Sequence, residues 1–152
     1  MSNLTLSATL TTTNGTAYAA GDTIGSLVTF TESQLYGNTM KRLKSVIITD
    51  ASKQSSAIDI VLFRANPTGS TFTNDAAAVI PVADLTKIIG VAKVPSANYS
   101  AYSASSAALV EVDIPIFVVN STYNLYMAVI CQGTPTYTST SAISLTLSFG
   151  RY

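Results

Sequence analysis

From end to end of the chain, apolar and polar residues alternate with a period of two, and the helical period of 3.6 hardly appears. Near the start, Leu4, Leu6, Ala8 and Leu10 alternate with Thr5, Ser7 and Thr9. Near the other end, Ile143, Leu145, Leu147 and Phe149 alternate with Ser144, Thr146 and Ser148. Each stretch sends an apolar row to one face and a hydroxyl row to the other, as a half-buried strand does. Further strands are predicted near 24–31, 43–49, 58–64, 88–94, 108–118 and 124–132, all rich in residues that suit a pleated surface. The runs IDIVLF and LYMAVIC are almost continuously apolar, so the strands at 58–64 and 124–132 should be central and covered on both faces.

Between these segments lie NGT (14–16), AGD (20–22), YGN (36–38), NPTGS (66–70) and QGTP (132–135). Glycine supplies positive φ there, and proline fixes φ and removes a donor, so each is a turn. VADLTKII (82–89) predicts a single helical turn, with Asp84 near its start and Lys87 near its end. PSANYSAYSASSAA (95–108) is low in complexity and is expected to be a long loop. About eight strands with so little helix leave no crossovers for a parallel sheet. The expected fold is all-β: one antiparallel β-sandwich of jelly-roll type spanning residues 1–152, with Ile58, Ile60, Leu62, Val129, Ile143, Leu145 and Leu147 in its core.

Composition narrows the chemistry. Charged residues make up 11% of the 152, against roughly 25% in ordinary soluble domains, and forty serines and threonines take their place. The eight basic and eight acidic residues cancel. A nucleic-acid partner is not expected, because phosphate contacts need a basic stripe. Lys41, Arg42 and Lys44 form the only basic cluster, which suits a solvated strand edge guarded against pairing. Neither a signal peptide nor a bilayer-spanning run is seen, so no membrane partner is expected and the chain should be made and remain soluble in a cytoplasm. Cys131 lies in an apolar run, where it packs as a small hydrophobe.

No histidine is present, which removes the commonest general base and the commonest metal ligand. No phosphate loop, nucleophile elbow or EF-hand pattern occurs, and no cofactor or metal is expected. The stretch TDASKQSSAID (49–59) concentrates two aspartates, a lysine and several hydroxyls. With a strand on either side, it is a connection in which Asp50 caps the turn, Lys53 stands at the tip and Asp59 faces away from Ile58 and Ile60. A serine nucleophile with Lys53 as its base would need an oxyanion hole and a Ser-x-x-Lys spacing, and that spacing is missing. A glycosidase needs only two carboxylates, and Glu111 and Asp113 share one strand face, with Glu32, Asp59, Asp75 and Asp84 as other partners. Such a pair is more often a solvated face than a catalytic site, and no tryptophan is present to seat a sugar; no enzymatic activity is expected. Tyr99, Tyr102 and Tyr137 fall in predicted loops, where an aromatic ring with a polar tip suits a protein interface or a sugar.

Several segments resemble small virion proteins of tailed bacteriophages, including crAss-like phages. They are AYAAGDTIGSLVTF (17–30), KSVIITDASKQSSAIDIVLF (44–63), NPTGSTFTND (66–75), ADLTKIIGVAKV (83–94) and YMAVICQGTPTYTSTSAISLTL (126–147). The most specific elements are GD-x-IG before a strand, ITD-x-x-x-QS-x-x-ID-x-x-LF and NP-x-x-STF. One departure is the order Asn74-Asp75, where relatives carry Asp-Asn. The resemblance implies a non-enzymatic structural protein of the virion, an auxiliary or decoration protein bound to the capsid. Its partners would be the major capsid protein or other virion proteins, in multiple copies, with a homo-oligomer as a further option. The alternative is a receptor-binding module of a tail or head fibre that recognises host surface glycan. A third option is a small binding module unrelated to phage. In the first two cases Tyr99, Tyr102 and Tyr137 are the expected partner-binding residues.

Overall fold

A computed structural model of the chain describes residues 4–31, 40–116 and 124–151. Within them nine strands form two antiparallel sheets: β1 (Leu4–Leu10), β2 (Val28–Phe30), β3 (Lys41–Asp50), β4 (Ile58–Phe63), β5 (Ile88–Val94), β6 (Tyr99–Ala101), β7 (Ser106–Ile116), β8 (Leu125–Cys131) and β9 (Ile143–Arg151). One sheet has the order β1-β9-β3-β7-β6 and the other β2-β8-β4-β5. Apart from the short edge strand β6, this is the strand order of a jelly roll, two interleaved Greek keys closed face to face. Alternation produced it. Leu6, Leu10, Leu43, Val46, Ile48, Ile143, Leu145, Leu147 and Phe149 from the first sheet meet Ile58, Ile60, Leu62, Leu125, Met127 and Val129 from the second, all buried.

The two apolar runs are the middle strands of the second sheet, and they are covered twice. Val61, Phe63 and Ala128 face outward from β4 and β8, yet they are buried under Leu27, Phe72 and Ile80. Leu27 comes from the β1–β2 connection, and Phe72 and Ile80 from the crossover between β4 and β5. A hub pins these two segments to each other. Asn74 Oδ1 accepts hydrogen bonds from the Tyr18 hydroxyl and the Gly25 N–H, both at 2.8 Å, while its Nδ2 donates to Thr13 Oγ1 at 2.9 Å. A carboxylate at position 74 has no donor for that last bond. Asp75 takes the left-handed φ of 59° beside it, so the order Asn-Asp is matched to this turn.

Two expectations change. The segment 95–108 is no uninterrupted loop, because it holds a 3₁₀ turn (Ser96–Asn98), β6 and the start of β7. The single helical turn, α1, covers Val82–Leu85, with Lys87 just beyond it. Asp84 on it is buried and accepts from Ser70 and Lys87, both at 2.7 Å, which holds its carboxyl below the usual range, the Lys87 bond being the largest cause. The cluster Lys41, Arg42 and Lys44 lies on no edge, since β3 is the middle strand of its sheet and Lys41 is buried. The turn YGN, Glu32 and the end of the strand predicted to 118 lie outside the described residues.

β3 also carries a bulge. Leu43 and Ser45 face the consecutive residues Phe149 and Ser148 of β9, so one residue of β3 is extra. Its phase inverts there, sending Val46, Ile48 and Asp50 inward and Ile47 outward.

Where β5 and β7 close one side of the sandwich, Gly90 sits against Ile114. A Cβ on Gly90 would lie 2.8 Å from Ile114 Cγ2 and 2.9 Å from its Cδ1. The Gly90→Ala variant should therefore lose about 1–3 kcal/mol in urea unfolding through overpacking. Adding Ile114→Ala should cost much less in that background than in the parent. Simple additivity of the two would show that this seam is looser than described.

Candidate functional site

The connection that drew attention in the sequence closes around a single carboxylate. Asp50, buried at the end of β3, accepts the backbone N–H groups of Ser52 and Gln54 at 2.8 Å and of Ser55 at 2.9 Å. Wrapping the chain around one side chain forces Lys53 and Ser55 into left-handed conformations, φ 55° and 51°, which non-glycine residues adopt at a cost. Lys53 is exposed at the tip. No nucleophile arrangement forms: the Ser55 hydroxyl donates to Ser106 Oγ at 2.9 Å, and Ser52 Oγ lies 3.1 Å from Thr138 Oγ1. The loop is a structural turn.

The other acids are similarly engaged. Asp113 receives both ends of the Arg42 guanidinium at 2.5 and 2.7 Å and Lys44 Nζ at 3.0 Å. These cations, Arg42 foremost, hold its carboxyl down to about 2. A group that acidic stays ionised and has no proton to give as a general acid beside the exposed Glu111. Asp59 accepts from Gln132 Nε2 at 3.2 Å and pairs with Lys93 at 3.4 Å. Among the described residues no three metal-ligating side chains gather. The Cys131 thiol is buried, donates to the Gly133 carbonyl at 3.2 Å and is pushed up in pKa by burial.

The three tyrosines do not form a rim. Tyr102 alone is exposed, at 59%. Tyr99 opens β6 and is half-buried, and Tyr137 is 1% exposed, its ring packed edge-on against Tyr18 with centroids 5.4 Å apart. Burial first, and then the charge of Asp50, raises the phenol pKa of both Tyr99 and Tyr137. Tyr137 is thus a core residue and cannot touch a partner while the protein is folded. The sequence signal failed because a Gly- and Thr-rich segment around an aromatic looks like a loop whether the ring points out or in.

Two surface features have the opposite character. The outer face of the five-stranded sheet is uncovered by any described segment. It displays Thr5, Ser7 and Thr9 of β1, Ser144, Thr146 and Ser148 of β9, and Thr49 of β3, with Ser7–Thr146 and Thr9–Ser144 hydroxyl contacts at 3.3 and 3.1 Å. In the middle of this hydroxyl field Ile47 and Leu109 stand directly opposite one another, 39% and 56% exposed. The sequence does contain their signal. VII in β3 and ALV in β7 break the alternation, and an apolar pair in a strand must send one member outward.

The second feature is a cavity of about 330 Å³ at the Asp50 end of the sandwich. Gln54, Ser56, Ser96, Gln132 and Thr134 line it with amides and hydroxyls, and Ala57, Gly133 and Pro135 complete its walls. It has neither a charge nor an aromatic ring in its lining.

A comparison with protein-family models and another with curated proteins both find no match to this chain.

The Asp50 loop makes a sharp prediction. Asp50→Asn replaces one accepting oxygen by an NH₂ that faces backbone donors. Urea unfolding should show a loss of about 1.5–3 kcal/mol, the range for hydrogen bonds to a charged group. An unchanged midpoint would mean that the loop is held by something other than this carboxylate.

Proposed function

We propose that the protein is a non-enzymatic structural component of a tailed-phage virion, an auxiliary protein bound to the capsid in many copies. The observation that carries this reading is the open sheet face: a surface rich in hydroxyls, with the paired charges Arg42, Lys44 and Asp113 toward one end and the apolar pair Ile47–Leu109 among them. An apolar centre inside a polar rim is the anatomy of a protein contact. The resemblance of the segments at 17–30, 44–63 and 66–75 to small virion proteins supports it. So does the way the acids are engaged, with Asp50, Asp59, Asp84 and Asp113 all bound by donors that hold the fold together. Attachment would rest on Ile47 and Leu109 with Tyr102 as a further anchor, and Tyr137 is withdrawn from that role.

A second reading, a fibre module binding neutral host glycan, is favoured by the uncharged cavity at the Asp50 end. Its lining offers hydrogen bonds to sugar hydroxyls and no charge for an acidic sugar. Glycan binding lost in Gln132→Ala would favour it.

Mass spectrometry of purified particles should find this chain at a copy number on the scale of the capsid protein. A handful of copies per particle would rule out decoration and favour the fibre. Protein carrying Leu109→Lys should fold normally and fail to rebind particles stripped of it. Raising salt from about 0.05 to 0.5 M should leave the parent bound, because screening acts on exposed charges.

A further inference from the structure

A β-sandwich has four sheet edges, and each unpaired edge offers N–H and C=O groups to another strand. Three edges here are blunted. β2 and β6 are three residues long. β5 carries Gly90 and Lys93, and its pairing with β4 is irregular between Leu62 and Phe63. β1 has none of these devices. It is seven residues of regular strand, LTLSATL, with no charge, proline or bulge, and its register against β9 runs unbroken from Leu4 to Leu10. Among the described residues no strand other than β9 pairs with it.

The sequence of this edge is nearly its own mirror image about Ser7. Leu4 matches Leu10, Thr5 matches Thr9, and Leu6 matches Ala8. An antiparallel partner with the same sequence, centred on Ser7, therefore meets it with apolar residues opposite apolar residues on the core side and hydroxyls opposite hydroxyls on the outer side. Slipping that pairing by one residue would set the two rows against each other, so the register is specified. Leu4 and Ala8 remain half-exposed on the core side, packed against the core at the seam this strand leaves open.

We infer that β1 is a self-association edge: two copies of this chain pair antiparallel through β1 about a two-fold axis at Ser7, joining their five-stranded sheets into one. A seven-residue antiparallel pairing supplies roughly six to eight backbone hydrogen bonds. No charge on β1 opposes its own copy across the axis, and on β9 behind it the outward residues opposite β1 are Ser144, Thr146 and Ser148. The hydroxyl field on the outer face then runs continuously through both copies. This inference does not rest on the virion reading and is testable with pure protein.

Ser7 is exposed, so its side chain can be changed without disturbing the core. Sedimentation of the parent across about 5 to 500 µM should show a rise from 15.9 kDa toward twice that mass. Ser7→Lys and Ser7→Asp each place like charges opposite one another at the axis. Each alone should remain at the monomer mass with a normal melting curve, and an equimolar mixture should recover the dimer. Thr146→Lys is the control for the sheet face. Across the axis the two β9 strands would be three strand spacings apart, about 14 Å, so this variant should still dimerise. A parent that is monomeric throughout would overturn the inference. So would dimerisation by Ser7→Lys alone, failure of the mixture to dimerise, or equal loss of dimer in Thr146→Lys, which would move the contact to the face.

Discussion

One extra residue in the central strand sets the phase of most of this structure. At the Lys44–Ser45 bulge β3 exchanges its inward and outward faces while it stays paired to β7 and β9 on either side. Without the bulge, the strand that sends Leu43 inward would continue with Ser45, Ile47 and Thr49, presenting two hydroxyls to the core and sending Asp50 outward. With it, Val46 and Ile48 fill the centre of the sandwich and Asp50 arrives buried at the strand's end. Buried there, the carboxylate must be satisfied. The next five residues coil round to supply three N–H groups to it. The same inversion puts Ile47 on the outer face, opposite Leu109. Core, loop and surface patch thus follow from this break in β3, matched on its other side by an extra residue of β7, where Leu43 and Ser45 face Ile114 and Glu111.

The chain holds few charges and uses them for internal order. Asp84 with Lys87 anchors the crossover that covers the second sheet, Asp59 joins β4 to β5 through Lys93, and Asp113 ties β7 to β3 through Arg42 and Lys44. The exposed pairs among these contribute little to stability individually. Their larger effect is on chemistry, because the Asp113 carboxylate, clamped by two cations, is held well below the usual range and stays ionised. Much of what remains at the surface is hydroxyl and amide, with a few exposed charges such as Lys53 and Glu111.

The fold was legible because alternation is a local signal that survives burial. Strands near 4–10, 58–64, 88–94 and 124–132 sit where the pattern put them, and so does the expected core. Asp50 as a turn-former was legible too, for a carboxylate between two strands has few other uses in a chain without histidine. The bulge was not: nothing in KRLKSVIITD says which residue is extra, since that depends on partners β7 and β9, distant in sequence. Tyr137 was misread for the same reason. Its segment, TPTYTSTS, is loop-like, but bridges from Asn14 and Ala17 draw it back under Tyr18. Ile47 and Leu109 lay in plain view as breaks in the alternation, yet their orientation needed the register.

A surface without net charge changes what association can depend on. Charge steering speeds encounter and penalises wrong orientations at a distance. A hydroxyl-covered jelly roll has neither benefit, so its contacts are selected at short range by shape, apolar area and backbone hydrogen bonds. That is a handicap for two partners meeting in dilute solution. It becomes an advantage where many copies sit side by side, because neutral surfaces do not repel their own kind. There, weak contacts made in parallel reinforce one another through effective concentration. An edge strand that matches itself and a face with one apolar pair are individually weak attachments. Placed on the same sheet, the two would reinforce one another: pairing through β1 would hold two Ile47–Leu109 patches at a fixed spacing, with five strand spacings between the two β3 strands, and a surface with repeating subunits could then engage both at once.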